Sequence, residues 1–313
     1  MRVATNSYTD AMLNQFNTLI SKEDTLQNEV STGLSVQAPS DNPTAMAETL
    51  NDLTGQAAQS QYSANISSLQ TTATSVYNTM DSLQQLVSKA DVFATNGGSG
   101  NTSQAERDTY ASQVQGLIQE AVQLANTQDP TSGQYLFGGT ASTSEPFSTT
   151  TDANGNVTGV AYQGNTSVNQ VPVSAGTTLS VDVPGANTTG SGARGLFTDS
   201  QSGADLFNHL LALQNDLSSG DTSAIATDGT NLQKDEDNVT YQVANNGAVQ
   251  TRLNNEATYV TNQTSSLTSA ISNTSGTDLV QTMVQLNQTQ TAYQAALQSS
   301  AQIMQLSILN YLK

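Results

Sequence analysis

The chain has 313 residues, of which only 11% are charged, and its 26 acidic and 8 basic residues give a formal net charge of -18. This acidic balance argues against a nucleic-acid-binding protein and against docking on anionic membranes, because both partners attract basic surfaces. The absence of Cys excludes disulfides, zinc thiolates and thiol nucleophiles.

The first 33 residues carry apolar side chains at helical spacing. Glu23 interrupts this stripe, and Gly33 supplies a stop for the helix. An ordinary core helix shows the same pattern, so the stripe alone does not identify a coiled coil. The stripe consists of Tyr8, Met12, Phe16, Leu19, Leu26 and Val30.

An ordered connector, 33–43, leads into the helical middle of the chain. Asn42 followed by Pro43 predicts an N-cap with proline at the first helical position. The seam from Ile66 to Ala94 alternates three and four residues, which is the coiled-coil pattern. Ser103 and Glu106 then form a predicted capping box that opens a return helix.

The character of the sequence changes between residues 131 and 203, where Gly, Thr, Ser, Asn and Val dominate. Asn154 and Gly155 predict a hairpin turn, and Val171 to Val173 and Thr178 to Val183 alternate as strands do. Helical spacing returns at Leu206 and continues through a last long bundle helix to Ile271. The sequence therefore predicts a small β domain inserted between helices.

The final stretch, 277–313, contains neither Pro nor Gly and carries an apolar seam. Gly276 supplies a break ahead of it, and Asp278 a capping residue. A single helix of this kind is only marginally stable in water, so we expect it to pack against other helices. The apolar positions are Leu279, Met283, Leu286, Tyr293, Leu297, Met304, Ile308 and Tyr311.

These elements predict a mainly α fold with an inserted β domain. Residues 1–33 and 277–313 are expected to form a terminal coiled-coil assembly domain, because pairing the two ends would bury both seams. Residues 34–130 and 204–276 are expected to form a helical bundle, with the β domain, 131–203, at its tip.

No pattern in the sequence indicates catalysis, a cofactor or a metal. His209 is the only histidine, and no acid marks it as part of a catalytic triad, so we interpret it as structural. The run 234–237 is interpreted as a solvated helix face, because it lacks the spacing of a calcium loop. Gly138 and Gly139 lack the following helix and Lys of a phosphate-binding loop.

Several short motifs resemble the bacterial flagellin superfamily and, within it, the proteins of the hook–filament junction. The connector 38–45 resembles the N-terminal signature of that family, and 307–312 resembles its closing motif. The most specific likeness is a marker loop, residues 133–140. Its marker residues are Gly133, Tyr135, Leu136, Phe137, Gly138 and Gly139.

The resemblance implies a structural protein of the flagellum that polymerises through its terminal helices. It implies self-assembly, a hook-associated protein on the hook side, flagellin on the filament side, and an export chaperone in the cytoplasm. The first residues do not form a signal peptide, which agrees with export through the flagellum's own type III channel to an extracellular location.

Two other functions remain open at this stage. A filament flagellin would share the helical ends, although the marker loop speaks against it. An adhesin would bind a glycan or a host protein through the β domain, and Tyr135, Tyr162 and Phe197 could serve such a site.

Overall fold

The structure is a computed structural model that describes the backbone of residues 2–311 and the side chains of residues 10–302. It contains two compact units: the described residues up to Gln59 and from Asn262 onward form the first, and Ser60–Thr261 form the second. The mainly helical fold with a β-rich insertion is confirmed. The three-domain division stays a prediction.

The described residues form six helices and seven short strands. The helices are α1 Arg2–Thr32, α2 Pro43–Gly97, α3 Gln104–Ala125, α4 Leu206–Ser219, α5 Thr222–Ser275 and α6 Leu279–Tyr311. The strands are β1 Phe147–Thr151, β2 Val157–Tyr162, β3 Val171–Ser174, β4 Thr177–Leu179, β5 Ala186–Asn187, β6 Thr198–Asp199 and β7 Ala204–Asp205.

The predicted helix caps are confirmed. The side-chain oxygen of Asn42 accepts the backbone N–H of Ala45 at 3.1 Å, at the start of α2. Ser103 and Glu106 form both hydrogen bonds of a capping box at the start of α3. Such caps satisfy backbone N–H groups that have no partner inside the helix.

The first unit joins its helices through two neighbouring turns. Gly33 ends α1 with φ of +74°, a conformation that favours glycine. Its carbonyl oxygen accepts the N–H of Thr277 at 3.0 Å, and the N–H of Ser35 donates to the Ser275 carbonyl at 2.7 Å. The α1–α2 connector and the α5–α6 turn are therefore held together by backbone hydrogen bonds.

The connector is itself folded by one carboxylate. Asp41 accepts the N–H groups of Gln37 and Ala38, at 3.0 and 2.9 Å. The bond from Ala38, followed by that from Gln37, lowers the pKa of Asp41. The connector that the sequence predicted to be ordered therefore has a specific internal hydrogen-bond pattern.

The main core of the second unit combines α2, α3, α4 and α5 with β1 and β2. Five aromatic rings lie at its centre, with centroid distances from 5.0 to 5.5 Å. They join the insertion to the bundle, because one ring comes from α4, two come from β1 and β2, and two come from loops. The five are Phe137, Phe147, Tyr162, Phe197 and Phe207.

The strands form three small sheets. β1 and β2 pair antiparallel across the predicted turn, where Gly155 has φ of +83°. β3 pairs with β4, and β6 lies between parallel β5 and antiparallel β7. A second core packs β3 and β4 against α2 and α5.

One predicted strand is shorter than expected, because β4 ends at Leu179 and does not continue to Val183. The backbone N–H of Asp182 donates to the hydroxyl of Ser180, and the Asp182 carboxylate accepts the N–H of Asn169. These local bonds use groups that a continuing strand would need for its ladder. Val181 and Val183 are nevertheless buried, as the apolar alternation predicted.

Candidate functional site on the terminal helices

α1 and α6 pair antiparallel within the first unit, which confirms the predicted pairing of the two ends. The rings of Phe16 and Tyr293 meet edge to face with centroids 5.7 Å apart. Further along, the amide of Gln290 donates to the Glu23 carboxylate at 3.0 Å. A side chain that interrupts the apolar pattern is thus satisfied by a polar partner, an arrangement that fixes register in helical pairs.

The predicted residues of α1 lie on its less exposed row. Leu26 is buried there, and the other four described members are half-buried: Met12, Phe16, Leu19 and Val30. The spacing of four and three along this row is the spacing the sequence predicted. The side chain of Tyr8 lies outside the described residues.

The predicted seam of α6 differs from the row that the structure buries. Thr282, Thr289 and Ser300 are buried and Leu286 and Tyr293 are half-buried, whereas Leu279, Met283 and Leu297 are exposed. The expectation that pairing α1 with α6 buries the apolar seam of α6 is therefore wrong at these three positions. Hydroxyls can occupy the contact row because their hydrogen bonds are local: those of Thr289 and Ser300 donate to carbonyls four residues earlier, and that of Thr282 bonds the hydroxyl of Thr277. The side chains of Met304, Ile308 and Tyr311 lie outside the described residues.

The result is an apolar surface that the first unit does not cover, which we call the open row of α6. Its members span about 140° of the helix circumference, from about 60° to about 200° around from the buried row. Val280 is its most exposed member, at 75%, and Met283 is 50% exposed. The open row consists of Leu279, Val280, Met283, Val284 and Leu297. Leu13 and Ile20 of α1 are exposed as well.

α6 also carries no charged residue between Leu279 and Tyr311. Most of its other exposed positions carry Gln, Asn, Thr or Ser side chains. Copies of an acidic chain repel one another, and an uncharged helix removes that repulsion where the helices would meet. Large exposed apolar side chains on such a helix are typical of a surface that binds another protein.

The marker loop, by contrast, lies in the second unit and is mostly structural. Leu136 and Phe137 are buried in the main core, and Gly138 and Gly139 are buried too. Tyr135 is half-buried and Gly133 is exposed. Gly139 has φ of +64°, and the side chain of Asn165 accepts the N–H of the next residue, Thr140.

Asp129 holds the other end of this loop. Its carboxylate accepts the N–H groups of Thr131 and Ser132 and the hydroxyl of Thr72, at 2.8, 2.9 and 2.8 Å. Burial alone raises the pKa of Asp129, but these hydrogen bonds, led by that from Ser132, outweigh it and lower the pKa overall. The loop is thereby fixed to α2 by a carboxylate that stays ionised.

His209 has an acidic partner that sequence reasoning missed. Its Nδ1 lies 2.7 Å from the Asp235 carboxylate, which also accepts the N–H of Asp205 at 2.8 Å. The interpretation of 234–237 as a wholly solvated face was therefore wrong for Asp235, which is buried. α4 and α5 run antiparallel on either side of a short turn, so residues at equal distances from Thr222 along the chain lie opposite each other. His209 and Asp235 are such a pair, and this equal spacing is the sequence signal that could have predicted their contact.

Burial and the contact with Asp235 shift the pKa of His209 in opposite directions. Burial by itself lowers the pKa of His209, but the hydrogen bond and the charge of Asp235 outweigh burial and raise the pKa overall. The pair links the start of α4 to the middle of α5. Among the side chains that the structure describes, no group of three or more His, Cys, Asp or Glu residues could hold a metal ion.

A second pair, Asp216 and Asp228, lies one further heptad along the same two helices. Burial of Asp228, together with the charge of Asp216 and a hydrogen bond to it, raises the pKa of Asp228 from 3.8 to about 7. At a pH between 3.8 and about 7, the Asp228 carboxyl is therefore protonated in the folded chain and ionised in the unfolded chain. This contribution to the free energy of unfolding is complete below pH 4 and is lost as the pH rises to about 7.

We therefore expect Asp228→Asn to raise the free energy of unfolding at pH 8 by on the order of 2 kcal/mol and to leave it nearly unchanged at pH 4. The measurement is urea unfolding of the full chain at both pH values. Asp81→Asn, on the exposed side of α2, is the matched control. An equal effect of Asp228→Asn at both pH values would contradict the shared proton.

The sequence matches two family models. Residues 3–142 match the bacterial flagellin N-terminal helical region, and residues 230–312 match the bacterial flagellin C-terminal helical region. The chain is 31% identical over 127 residues to flagellar hook-associated protein 3 of Escherichia coli strain K12, and 31% identical over 126 residues to that of Salmonella typhimurium. Each match covers 38% of the relative's length, and 38% and 39% of this chain respectively.

Solved structures show the same fold. A putative flagellar hook-associated protein from Vibrio parahaemolyticus superposes with a TM-score of 0.64 at 19% identity, covering 75% of this chain and all of the other. FlgL from Bacillus cereus superposes with a TM-score of 0.55 at 16% identity, covering 71% of this chain and 99% of the other. In the described part of the chain, none of the helices is long and apolar enough to cross a membrane.

Proposed function

Because the chain belongs to the bacterial flagellin family, we propose that it is the structural subunit that joins the flagellar hook to the filament. Its work is mechanical: copies pack together, bind a hook-associated protein on one side and present a flagellin-like surface to the filament on the other. The partial identity to two hook-associated proteins 3 supports this junction role over that of a bulk filament subunit.

The observation that carries the proposal is the open row of α6. Pairing with α1 leaves five large apolar side chains exposed on a helix without charges. Burying such side chains against a neighbouring copy contributes roughly 1.5 to 3 kcal/mol each. Because the five side chains are 44–75% exposed, their burial recovers about half of that figure and offsets part of the cost of immobilising the copies.

The same proposal includes the route and the remaining partners. The chain is a component of the flagellum, and we propose that it reaches the cell exterior through the type III channel. An export chaperone would cover the apolar seam of α6 in the cytoplasm, since that seam would otherwise associate too early. The assembly residues are those predicted on α1 and α6, extended by Val280 and Val284.

A gene deletion tests the junction role. Cells that lack the chain are expected to secrete flagellin as loose monomer, and the full chain supplied in trans is expected to restore attached filaments. A chain lacking Ser307–Lys313 is expected not to restore them. Filament attachment is counted by electron microscopy, which also locates the labelled chain, and normal filaments on the deletion strain would refute the proposal.

A further inference from the structure

A cavity of about 190 Å³ lies in the second unit between α2, the marker loop and the segment around β3 and β4. We call it the α2–insertion cavity. Its rim reaches solvent, since Ser68, Gln134 and Asn169 are exposed. A concave site with an apolar floor and a few polar groups around it is the usual form of a small-molecule site. The floor consists of the buried side chains of Leu69, Val76, Leu136 and Val181.

Two carboxylates line the cavity, and they differ in how well they are hydrogen-bonded. Asp129 accepts three bonds, from Thr131, Ser132 and Thr72, which outweigh its burial. Among the described residues only Asn169 donates to Asp182, with its backbone N–H at 2.8 Å. Burial raises the pKa of Asp182 in spite of this partner. The Asp182 carboxylate is therefore short of donors, because about four lone-pair sites have to be filled.

The ring of Tyr135 forms a wall of the cavity, and its backbone is held in place. The N–H of Tyr135 donates to the carbonyl of Ser142 at 2.9 Å, and the N–H of Leu136 donates to that of Thr127 at 3.0 Å. Tyr162 and Phe197, the other two aromatic candidates for a binding site, pack in the main core instead. Of these three rings only that of Tyr135 lines the cavity, at a position fixed before any ligand binds.

The lining restricts the chemical class of the ligand. Among the described residues that line the cavity none is Lys, Arg or His, which argues against an anion. Asp129 has little acceptor capacity left for a metal ion. An alkylammonium ion would only donate hydrogen bonds, whereas Ser68, Ser142 and Gln134 carry donors that need an acceptor. Hydroxyl groups, which both donate and accept, match such a lining.

The volume of the cavity matches a ligand of one ring. At about 30 Å³ per water molecule, it equals roughly six waters, which is close to the volume of one hexose. A hexose in its ring form has an apolar face of C–H groups and hydroxyls around its edge. We propose that the α2–insertion cavity binds a single neutral hexose ring, whose face packs against Tyr135 and the apolar floor while a hydroxyl donates to Asp182. This site goes beyond the junction role and does not depend on it.

Saturation-transfer difference NMR on the full chain tests the site. The probes are glucose, galactose, mannose and N-acetylglucosamine, with n-butylamine as the cationic alternative. We expect at least one of the sugars to bind with a dissociation constant on the order of 1 mM, and the amine not to bind. The proposal is overturned if none of the sugars binds at about ten times that concentration, or if the amine binds and the sugars do not.

Asp182→Asn tests whether the sugar occupies this cavity. The variant is expected to weaken binding at least about tenfold, because an amide oxygen is a weaker acceptor than a carboxylate. It is expected to fold at least as stably in urea, since burial disfavours the ionised carboxylate. Glu145→Gln, an exposed carboxyl-to-amide change outside the cavity, is the matched control and is expected to leave binding unchanged.

Unchanged binding by Asp182→Asn would overturn the assignment to this cavity. Tyr135→Leu replaces that variant if it does not fold, with the same loss expected. Methyl glycosides of the sugar that binds then distinguish two sources of the ring. Binding of a methyl glycoside supports the terminal sugar of a glycan, and binding of the free sugar alone supports a free monosaccharide. Neither result bears on the junction role, which the deletion strain tests by itself.

Discussion

Val280→Asp combined with Met283→Asp is expected to abolish filament attachment while leaving the isolated chain folded. Both side chains are exposed, so the substitutions are expected to change the free energy of unfolding by less than about 0.5 kcal/mol. In the assembled state each new carboxylate would have to be buried without a partner. Burying an unpaired charge costs several kcal/mol, which exceeds what the remaining apolar contacts can supply.

The matched control is Gln281→Asp combined with Ala292→Asp. These two substitutions add the same charge to the same helix at exposed positions, but they lie roughly 170° around α6 from Met283. Attached filaments are counted by electron microscopy, and swimming speed is measured on the same cells. If the control pair abolished attachment as completely as the test pair, charge itself would be the cause, and the open row would have no special role.

Phe197→Ala is expected to destabilise the second unit by about 3–5 kcal/mol, the usual cost of removing a buried phenylalanine ring. Phe197 is fully buried and its ring lies 5.5, 5.1 and 5.5 Å from those of Phe137, Phe147 and Phe207. These rings come from the marker loop, β1 and α4, so their loss would loosen the insertion from the bundle.

Urea unfolding of the full chain, followed by circular dichroism, gives the free energy of unfolding of the variant. Val92→Ala is the control, because Val92 is 51% exposed, and a change below about 0.5 kcal/mol is expected there. A loss below about 1 kcal/mol for Phe197→Ala would show that the aromatic cluster does not hold this unit together.

The sequence by itself determined the helices, their caps and the position of the insertion. Ser103 with Glu106, Asn42 with Pro43 and Gly33 all act through backbone groups within a few residues, so they depend little on the rest of the fold. The pattern of α1 also placed its five described members, from Met12 to Val30, on the less exposed row of the helix, because they repeat at a spacing that only one face of a helix satisfies.

Only the tertiary structure decided which face of α6 packs inside the chain. Leu279, Met283 and Leu297 have the spacing of a seam, yet Thr282, Thr289 and Ser300 occupy the row against α1. The hydroxyls of Thr289 and Ser300 are satisfied within the helix and that of Thr282 by the hydroxyl of Thr277, so hydropathy gave no signal that they could be buried. The His209–Asp235 and Asp216–Asp228 pairs likewise join residues on different helices. Spacing along one helix cannot reveal such pairs, because they depend on how two helices are aligned.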